Sequence, residues 1–183
     1  MKLTTPKLKA MLLFFATHTD KRLLGKVKLM KLFYFTDFGY VKEYAIPITY
    51  DQYINLEHGP IPTTIMNMVN QLEDDIDTSI LGDTISINKK EGCPLHRIVA
   101  TRDFEEKDKG YFSKNELVML DKICKRFYNS NARQMEESSH QEAAWKDTKF
   151  KEKISYSLAL QDKDCRVDKE KMDISMKIIN SLK

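Results

Sequence analysis

The sequence predicts a mainly α (α+β) fold: a single compact helical domain, residues 1–183, with a small antiparallel β-sheet or hairpin. Apolar residues recur at helical spacing in several segments, and helix-start signals precede most of them. Two short β-branched runs flank a turn in the middle of the chain. The chain is 42% hydrophobic and 31% charged, which supports one core and excludes a broadly disordered protein.

The N-terminal part of the chain predicts two helices. Residues 4–6, Thr-Thr-Pro, start the first with a hydroxyl cap and then proline at the first helical position, and this helix ends before Gly25. The second helix runs from about Lys26 to Tyr40 and is apolar on nearly every side, so we expect it to be central and mostly buried. Lys28 and Lys31 are three residues apart and are expected to share its one solvent-exposed edge.

A strand, a turn and a third helix are predicted next. Residues 50–57 alternate weakly between apolar and polar side chains and indicate a strand or an extended segment. Gly59 and Pro60 are expected to turn the chain. A helix then opens at residue 62 or 63, and the acidic residues 73–75 mark its end.

A β-hairpin is predicted further along the chain. The two runs Thr84–Asn88 and Arg97–Ala100 are rich in β-branched residues, and Lys89–Pro94 between them has the composition of a turn. A charged loop is expected over Asp103–Gly110.

Three helices are predicted in the C-terminal half. Ser113 and Glu116 form a Ser-x-x-Glu capping box that opens the first, and a short helix is expected over Ala132–Glu137. Residues 139–142 form a second Ser-x-x-Glu box. A final helix, residues 168–182, is capped by its first residue, an aspartate, and is expected to pack on the rest of the domain.

Charge is distributed unevenly along the chain. Residues 1–42 hold nine Lys/Arg and two Asp/Glu, whereas residues 43–88 hold eight Asp/Glu and no Lys or Arg. The two segments could pair within the fold, or form a basic nucleic-acid patch and an acidic partner patch; solvated faces of mixed charge are the favoured interpretation. The second helix is too apolar to lie in a groove of DNA, which argues against a dedicated nucleic-acid reader.

Cysteine usage and apolar runs bear on the compartment. Cys93, Cys124 and Cys165 are odd in number and widely spaced, which fits a reducing cytoplasm better than a disulfide framework. No apolar run reaches the roughly 18 residues of a membrane span, and residues 11–16 are too short for a signal peptide. We therefore expect a cytoplasmic protein without a membrane partner.

Metal, cofactor and nucleophile signatures are weak. Cys93 and His96 form a Cys-x-x-His pair that lacks a second pair at zinc spacing. The chain has no Gly-x-Ser-x-Gly elbow, and Cys124 lies on the apolar face of its predicted helix. With only six glycines, a phosphate-binding loop has no place in the sequence. We expect no metal, no cofactor and no catalytic residue.

Two histidines are the remaining candidates for chemistry. His58 and His140 each stand beside a predicted helix start, close in sequence to Glu57 and Glu142 respectively. A histidine beside a carboxylate can act as a general base, which keeps a hydrolase or metal enzyme as an alternative. Without a nucleophile or cofactor motif, the favoured interpretation is that both are buried, hydrogen-bonded struts.

Three motifs in order resemble one known family. Residues 28–35 read KLMKLFYF, residues 57–62 read EHGPIP, and residues 139–146 read SHQEAAWK. They resemble the K-L-x-K-L-L-Y-F helix, the G-P turn and the T-H-x-x-x-P-W signature of the Panacea domain, the SocA-like antitoxin domain of phage-associated proteins. The resemblance spans about residues 6–150. The chain departs from the pattern at Asn55, where tryptophan is common.

The resemblance implies a compact, mostly α domain with a non-enzymatic role. Such a protein is the antitoxin of a bacterial or phage toxin–antitoxin module, and it neutralises a cognate toxin by direct protein–protein binding. The alternatives are a proteolytic adaptor that delivers a client to an AAA+ protease and a phage-related regulatory protein. Ala144, where the family usually carries proline before tryptophan, is a second departure from the pattern.

The motifs supply the candidate residues for partner binding or for locking the helices together. They are Lys28, Lys31, Tyr34, His58, Gly59, Pro60, His140, Glu142 and Trp145. Residues 58–60 are expected to lie near His140 and Trp145 as one pocket or strut. An acidic docking face for a basic toxin is expected at Glu73, Asp74 and Asp75. Reversing these three charges is expected to slow complex formation at low salt.

Overall fold

Helices form most of the molecule. The computed structural model describes residues 3–89 and 96–181. Its α-helices are α1 (Thr5–His18), α2 (Lys26–Tyr44), α3 (Thr63–Asp74), α4 (Lys114–Arg126), α5 (Ala132–Ser139), α6 (Ala143–Lys146) and α7 (Lys169–Ser181). Two 3₁₀ helices cover Glu106–Tyr111 and Tyr156–Gln161. The predicted mainly α fold with a small antiparallel sheet is confirmed, and none of the described helices is long and apolar enough to cross a bilayer.

Two small antiparallel sheets accompany the helices. The strands are β1 (Tyr53–Leu56), β2 (Gly59–Pro62), β3 (Ile85–Asn88), β4 (Arg97–Ala100) and β5 (Lys153–Ile154). The pairing of β3 with β4 confirms the two predicted hairpin strands, and residues 90–94 of the predicted turn lie outside the described part of the chain. The other sheet has the order β2-β1-β5, so a strand from the C-terminal part joins the central hairpin. The sequence predicted only β1 of this second sheet.

Helix α2 is the centre of the core. Phe33 on α2 meets Phe15 on α1 edge to face, with 5.0 Å between ring centroids, and Phe35 packs on Phe127 after α4 at 4.4 Å. The helix continues to Tyr44, four residues beyond its predicted end, and closes on Ala45 in the left-handed region with φ 66°. Being covered on every side, α2 positions whatever polar groups it carries inside the protein.

Helix starts agree with the sequence only in part. The Ser113 box forms as predicted, with Glu116 N–H donating to Ser113 Oγ at 3.3 Å and Ser113 N–H donating to Glu116 Oε2 at 2.8 Å. The predicted box at residues 139–142 is wrong: Ser139 is the last residue of α5, and its hydroxyl donates to Glu136 O at 2.8 Å. The local pattern resembles a cap because Glu142 directly precedes α6, but Ser139 is part of α5 and its hydroxyl bonds within that helix.

Two other segments of the chain differ from the prediction. Helix α1 begins at Thr5, which makes Pro6 the second helical residue, and the Thr4 side chain makes no capping hydrogen bond. The predicted charged loop over Asp103–Gly110 overlaps the 3₁₀ helix Glu106–Tyr111. This helix is stabilised by Asp108, which accepts a hydrogen bond from the Glu105 N–H and forms an ion pair with Arg102.

The C-terminal helix is held to the rest of the chain. Lys171 N–H donates to Asp168 Oδ1 at 2.8 Å, which confirms the predicted aspartate cap. Met172 and Ile179 of α7 are buried in the shared core. A cap and an apolar face are both present, as the sequence indicates for this segment.

A buried carboxylate ties α2 to the segment before β1. Asp37 Oδ1 accepts the N–H groups of Ile48 and Thr49, both at 2.8 Å. Its Oδ2 accepts the hydroxyl of Tyr53 at 2.9 Å and that of Thr49. Burial nevertheless raises the pKa of Asp37 to about 6, because desolvation outweighs the hydrogen bonds that favour the charged form.

This raised pKa predicts a pH dependence of stability. The folded chain binds the Asp37 proton more tightly than the unfolded chain, so the free energy of unfolding falls as the pH rises from the ordinary value of 3.8 through about 6. The variant Asp37→Asn should remove that part of the slope, as measured by urea unfolding at a series of pH values. Asp74→Asn makes the same change at an exposed position and serves as the control. A D37N variant that keeps the wild-type slope would contradict the prediction.

Candidate functional site

The two motif lysines lie inside the protein. Lys28 and Lys31 are both 0% exposed, so the prediction that they share a solvent-exposed edge is wrong. Lys28 Nζ donates to the carbonyl oxygen of Tyr128 at 2.8 Å, and Lys31 Nζ donates to that of Pro60 at 2.9 Å. Burial lowers the pKa of both, that of Lys31 to about 7. Each ammonium group therefore joins α2 to a distant main chain instead of to water.

The central motif is a hairpin whose turn lies two residues earlier than predicted. Glu57 and His58 form the turn, and residues 59–62 are strand β2. Gly59 has φ +87°, a conformation that residues with a side chain rarely adopt. A Cβ on Gly59 would lie 2.7 Å from Ser139 Oγ and 2.8 Å from Lys31 Nζ. Only glycine lets these two polar groups approach the strand so closely.

Residue His140 joins this hairpin to the third motif. Its ring stacks on Trp145 with 3.9 Å between centroids, and its Nε2 lies 3.2 Å from the position of a Cβ on Gly59. Neither His140 Nε2 nor Trp145 Nε1 has a hydrogen-bond partner among the described residues. Burial lowers the pKa of His140, so the imidazole favours its neutral form. The structure thus brings Gly59, His140 and Trp145 together.

The second histidine does not fit its predicted role. The His58 side chain is 63% exposed, so it is not a buried strut. Its Nδ1 lies 3.2 Å from Glu136 Oε2. The carboxylate beside the histidines is therefore Glu136, and neither Glu57 nor Glu142 supplies the predicted histidine–carboxylate pair. The tip of a two-residue hairpin turn points outward, which explains the exposure.

Glu142 instead belongs to a group of polar side chains that we call the Lys42 cluster: Tyr34, Lys42, Glu142, Asp162 and Asp164. All of them are largely buried except Asp164, whose side chain is 71% exposed. Tyr34 donates its hydroxyl to Glu142 Oε2 at 2.8 Å, and Lys42 Nζ lies 3.1 Å from Glu142 Oε1. The same ammonium lies 3.0 Å from Asp162 Oδ2 and 3.1 Å from Asp164 Oδ1. The cluster connects α2, the start of α6 and the segment after the second 3₁₀ helix.

Burial and charge act against each other in the Lys42 cluster. Burial raises the pKa of Glu142 even though Lys42 opposes the shift. Burial lowers the pKa of Lys42, but Glu142 and Asp162 outweigh it and leave that pKa raised. The pKa of Tyr34 is also raised by burial. An open cleft of about 520 Å³ lies over the cluster, with Lys42 and Glu142 among its lining residues.

The described residues bring together few groups for nucleophilic or metal chemistry. Cys124 is 1% exposed, and burial raises the pKa of its thiol to about 12, which confirms its predicted place in the core. No three His, Cys, Asp or Glu side chains of the described chain are placed to hold a metal ion. His96 Nδ1 lies 2.8 Å from Glu73 Oε1, and Cys93 is outside the described residues.

The three acidic residues at the end of α3 differ in their surroundings. Glu73 is bound by Lys26, His96 and Lys89 at 2.9, 2.8 and 3.4 Å, and these partners lower its pKa to about 2. Its charge is thus already matched within the fold. Asp75 Oδ1 accepts a main-chain N–H two residues on. A docking role of the acidic face stays a prediction, and Asp74 is the member that has no such contact with any described residue.

The site also contains residues that were not among the candidates chosen from the sequence: Lys42, Glu136, Asp162 and Ser139, the first residue of the third motif. One signal was available: Lys31, Tyr34 and Lys42 are spaced at three and eight residues, which places them along one side of a helix. That side faces both the central hairpin and the Trp145 segment, through the bonds to Pro60 and Glu142. No comparable local pattern marks Asp162, which lies 120 positions from Lys42 in sequence.

Comparison with known proteins gives one match. The model of the family described as antitoxin SocA-like, Panacea domain, matches residues 29–146, which is more than half of the 183-residue chain. The matched range includes Lys31, Gly59, Glu142 and Trp145. No curated protein and no solved structure matches the chain.

Proposed function

Since this chain belongs to the SocA-like antitoxin family with a Panacea domain, we propose that it is an antitoxin that neutralises a cognate toxin by direct protein–protein binding. The family match over residues 29–146 is the observation that carries this proposal. The family indicates a toxin as the partner in general, and the proposal adds that the two proteins form a stable complex.

The contacts of the motif residues support binding over catalysis. Lys31 donates to Pro60 O, and Tyr34 and Lys42 both engage Glu142, so these groups are occupied within the fold. Such contacts hold helices and a hairpin in fixed positions. A surface that is already ordered loses less conformational entropy on association, which favours affinity. We therefore propose a non-enzymatic role for this protein.

A rescue assay tests the proposal. The product of the neighbouring open reading frame is expressed alone and together with this protein, and the pair is purified through a tag on one member. We expect growth arrest with the neighbour alone, recovery on co-expression and a stable complex. A toxic neighbour that is neither rescued nor bound would refute direct neutralisation by this chain.

The same assay separates neutralisation from a proteolytic adaptor role. Direct neutralisation predicts rescue in cells that lack AAA+ proteases, with the toxin remaining intact in the complex. An adaptor predicts that rescue and disappearance of the toxin both require the protease. The lifetime of the toxin, followed by immunoblot after translation is stopped, distinguishes the two outcomes.

A further inference from the structure

An exposed aromatic residue stands just beyond the segment shared with the family. Phe150 is 60% exposed and lies in residues 147–153, which we call the Phe150 loop. The family match ends at residue 146, so the loop follows the shared part directly. Aromatic side chains are enriched at protein–protein interfaces, where a few of them supply much of the binding energy.

The Phe150 loop is held in one conformation by main-chain contacts. Glu152 N–H donates to Lys149 O at 3.0 Å, which closes a turn around Phe150 and Lys151. Lys151 occupies the left-handed region with φ +66°, and its N–H donates to Asn55 O at 2.7 Å. A non-glycine residue in that region costs energy that the surrounding contacts must offset. The exposed ring is therefore presented by an ordered turn.

The residue Asn55 links this loop to the motif segments. Its side-chain amide donates to Trp145 O at 3.3 Å and to Thr148 O at 2.5 Å. Asn55 also pairs with Pro60 across β1 and β2. The Phe150 loop is thus fixed to the same hairpin and the same tryptophan segment that form the motif site.

Lysines surround the exposed ring. Lys146, Lys149, Lys151 and Lys153 are all exposed, and none has a carboxylate of a described residue within 4.0 Å. Lys151 Nζ lies 5.3 Å from the centre of the Phe150 ring. Asp147 and Glu152 are exposed between these lysines, so a polyanion such as nucleic acid would meet like charges along the loop. The mixture instead suits a protein surface with an apolar pocket and carboxylates at its rim.

We propose that the Phe150 loop is a contact through which this chain recognises its protein partner, with Phe150 in an apolar pocket and the lysines facing acidic residues around it. This inference rests on the proposed function, because it names the surface that an antitoxin of this fold would use. An ordered aromatic residue in a pocket loses little entropy on binding and supplies much of the contact area. The unpaired lysines add long-range attraction and speed association.

The test uses the product of the neighbouring open reading frame as the binding probe, with the full chain in each variant. Phe150→Ala should weaken the complex by about 30-fold, as a central aromatic contact does. The triple change Lys149→Glu, Lys151→Glu and Lys153→Glu should slow association by about ten-fold at low salt, with less effect at high salt. Titration calorimetry and stopped-flow mixing measure the two effects.

Matched controls distinguish the loss of a binding contact from a loss of folding stability. Val118→Ala changes a residue that is 64% exposed on α4, and Lys177→Glu reverses an exposed charge on α7. Both should bind like wild type, and all variants should keep the wild-type melting temperature within about 2 °C because the changes are at exposed positions. Phe150 and lysine variants that bind within two-fold of wild type would overturn the proposed contact while leaving the antitoxin function intact.

Failure of the underlying function has a different signature. If the wild-type chain neither binds nor rescues the toxic neighbour, the proposed function is refuted, and the partner contact falls with it. If a short DNA duplex binds and the Phe150 loop variants weaken only that complex, the loop is a nucleic-acid contact, and the inference is also overturned.

Discussion

Replacing Gly59 with alanine is expected to lower the free energy of unfolding by about 3 kcal/mol. Two costs add. The backbone has φ +87°, where a side chain introduces strain, and the new Cβ would lie 2.7 Å from Ser139 Oγ and 2.8 Å from Lys31 Nζ. The lysine ammonium has little room to retreat because it is fully buried and bonded to Pro60 O. Urea unfolding measures the loss.

The matched control for this change is Gly110→Ala. No atom lies within 4 Å of a Cβ built on Gly110, and its φ is not in the left-handed region, so the control should stay within about 0.5 kcal/mol of wild type. The double variant Gly59→Ala, Ser139→Ala removes one clash and leaves the backbone strain. It should therefore recover part of the loss. A G59A chain as stable as the G110A chain would contradict the steric argument.

Replacing Lys42 with methionine is expected to lower the free energy of unfolding by about 3 kcal/mol at neutral pH. The Lys42 side chain is 6% exposed, and those of Glu142 and Asp162 are 13% and 11% exposed. Without the ammonium, two largely buried carboxylates face each other with no cation between them. Removing one partner of a buried ion pair costs more than the pair contributes, because the remaining charge stays desolvated.

The loss in K42M should depend on pH in a defined direction. Burial already raises the pKa of Glu142, and loss of Lys42 removes an interaction that lowers it. The folded variant then binds a proton more tightly than its unfolded chain, so its stability recovers as the pH falls. The second change Glu142→Gln should restore part of the stability at neutral pH.

An exposed lysine provides the control for K42M. Lys177→Met makes the same chemical change on α7 and should alter the free energy of unfolding by less than about 0.5 kcal/mol. Two results would contradict the prediction. One is an equal loss of unfolding free energy in K42M and K177M, and the other is a K42M loss that grows as the pH falls.

Elements with a local signal were predictable from the sequence. The apolar run of α2, the Ser113 capping box, the β3–β4 strands and the Asp168 cap all appear where the sequence indicates them. Each depends on residues within a few positions of one another, which meet in any helix or hairpin. The end of α2 was misplaced by four residues because its closing residue, Ala45, carries no recognisable stop signal.

The sequence predicted which residues lie together in the candidate site better than it predicted whether their side chains are buried. The motifs pointed to Lys31, Gly59, His140 and Trp145, and these residues do lie together. The sequence placed Lys31 in solvent, because a lysine in an apolar helix ordinarily marks its exposed side. Its burial follows from β2 and α5, which cover that side and supply a carbonyl oxygen for the ammonium group.

The sequence by itself determined the fold class, the central helix and the family, since these depend on local periodicity and on motifs in a fixed order. The tertiary structure decided which charges are buried and with which partners. Lys42 meets Asp162 across 120 positions, and Tyr53 pairs with Ile154 across 101. Desolvation and Coulomb energies depend on every atom that is nearby in space. The residue spacing within a short segment does not show which distant parts of the chain pack against it.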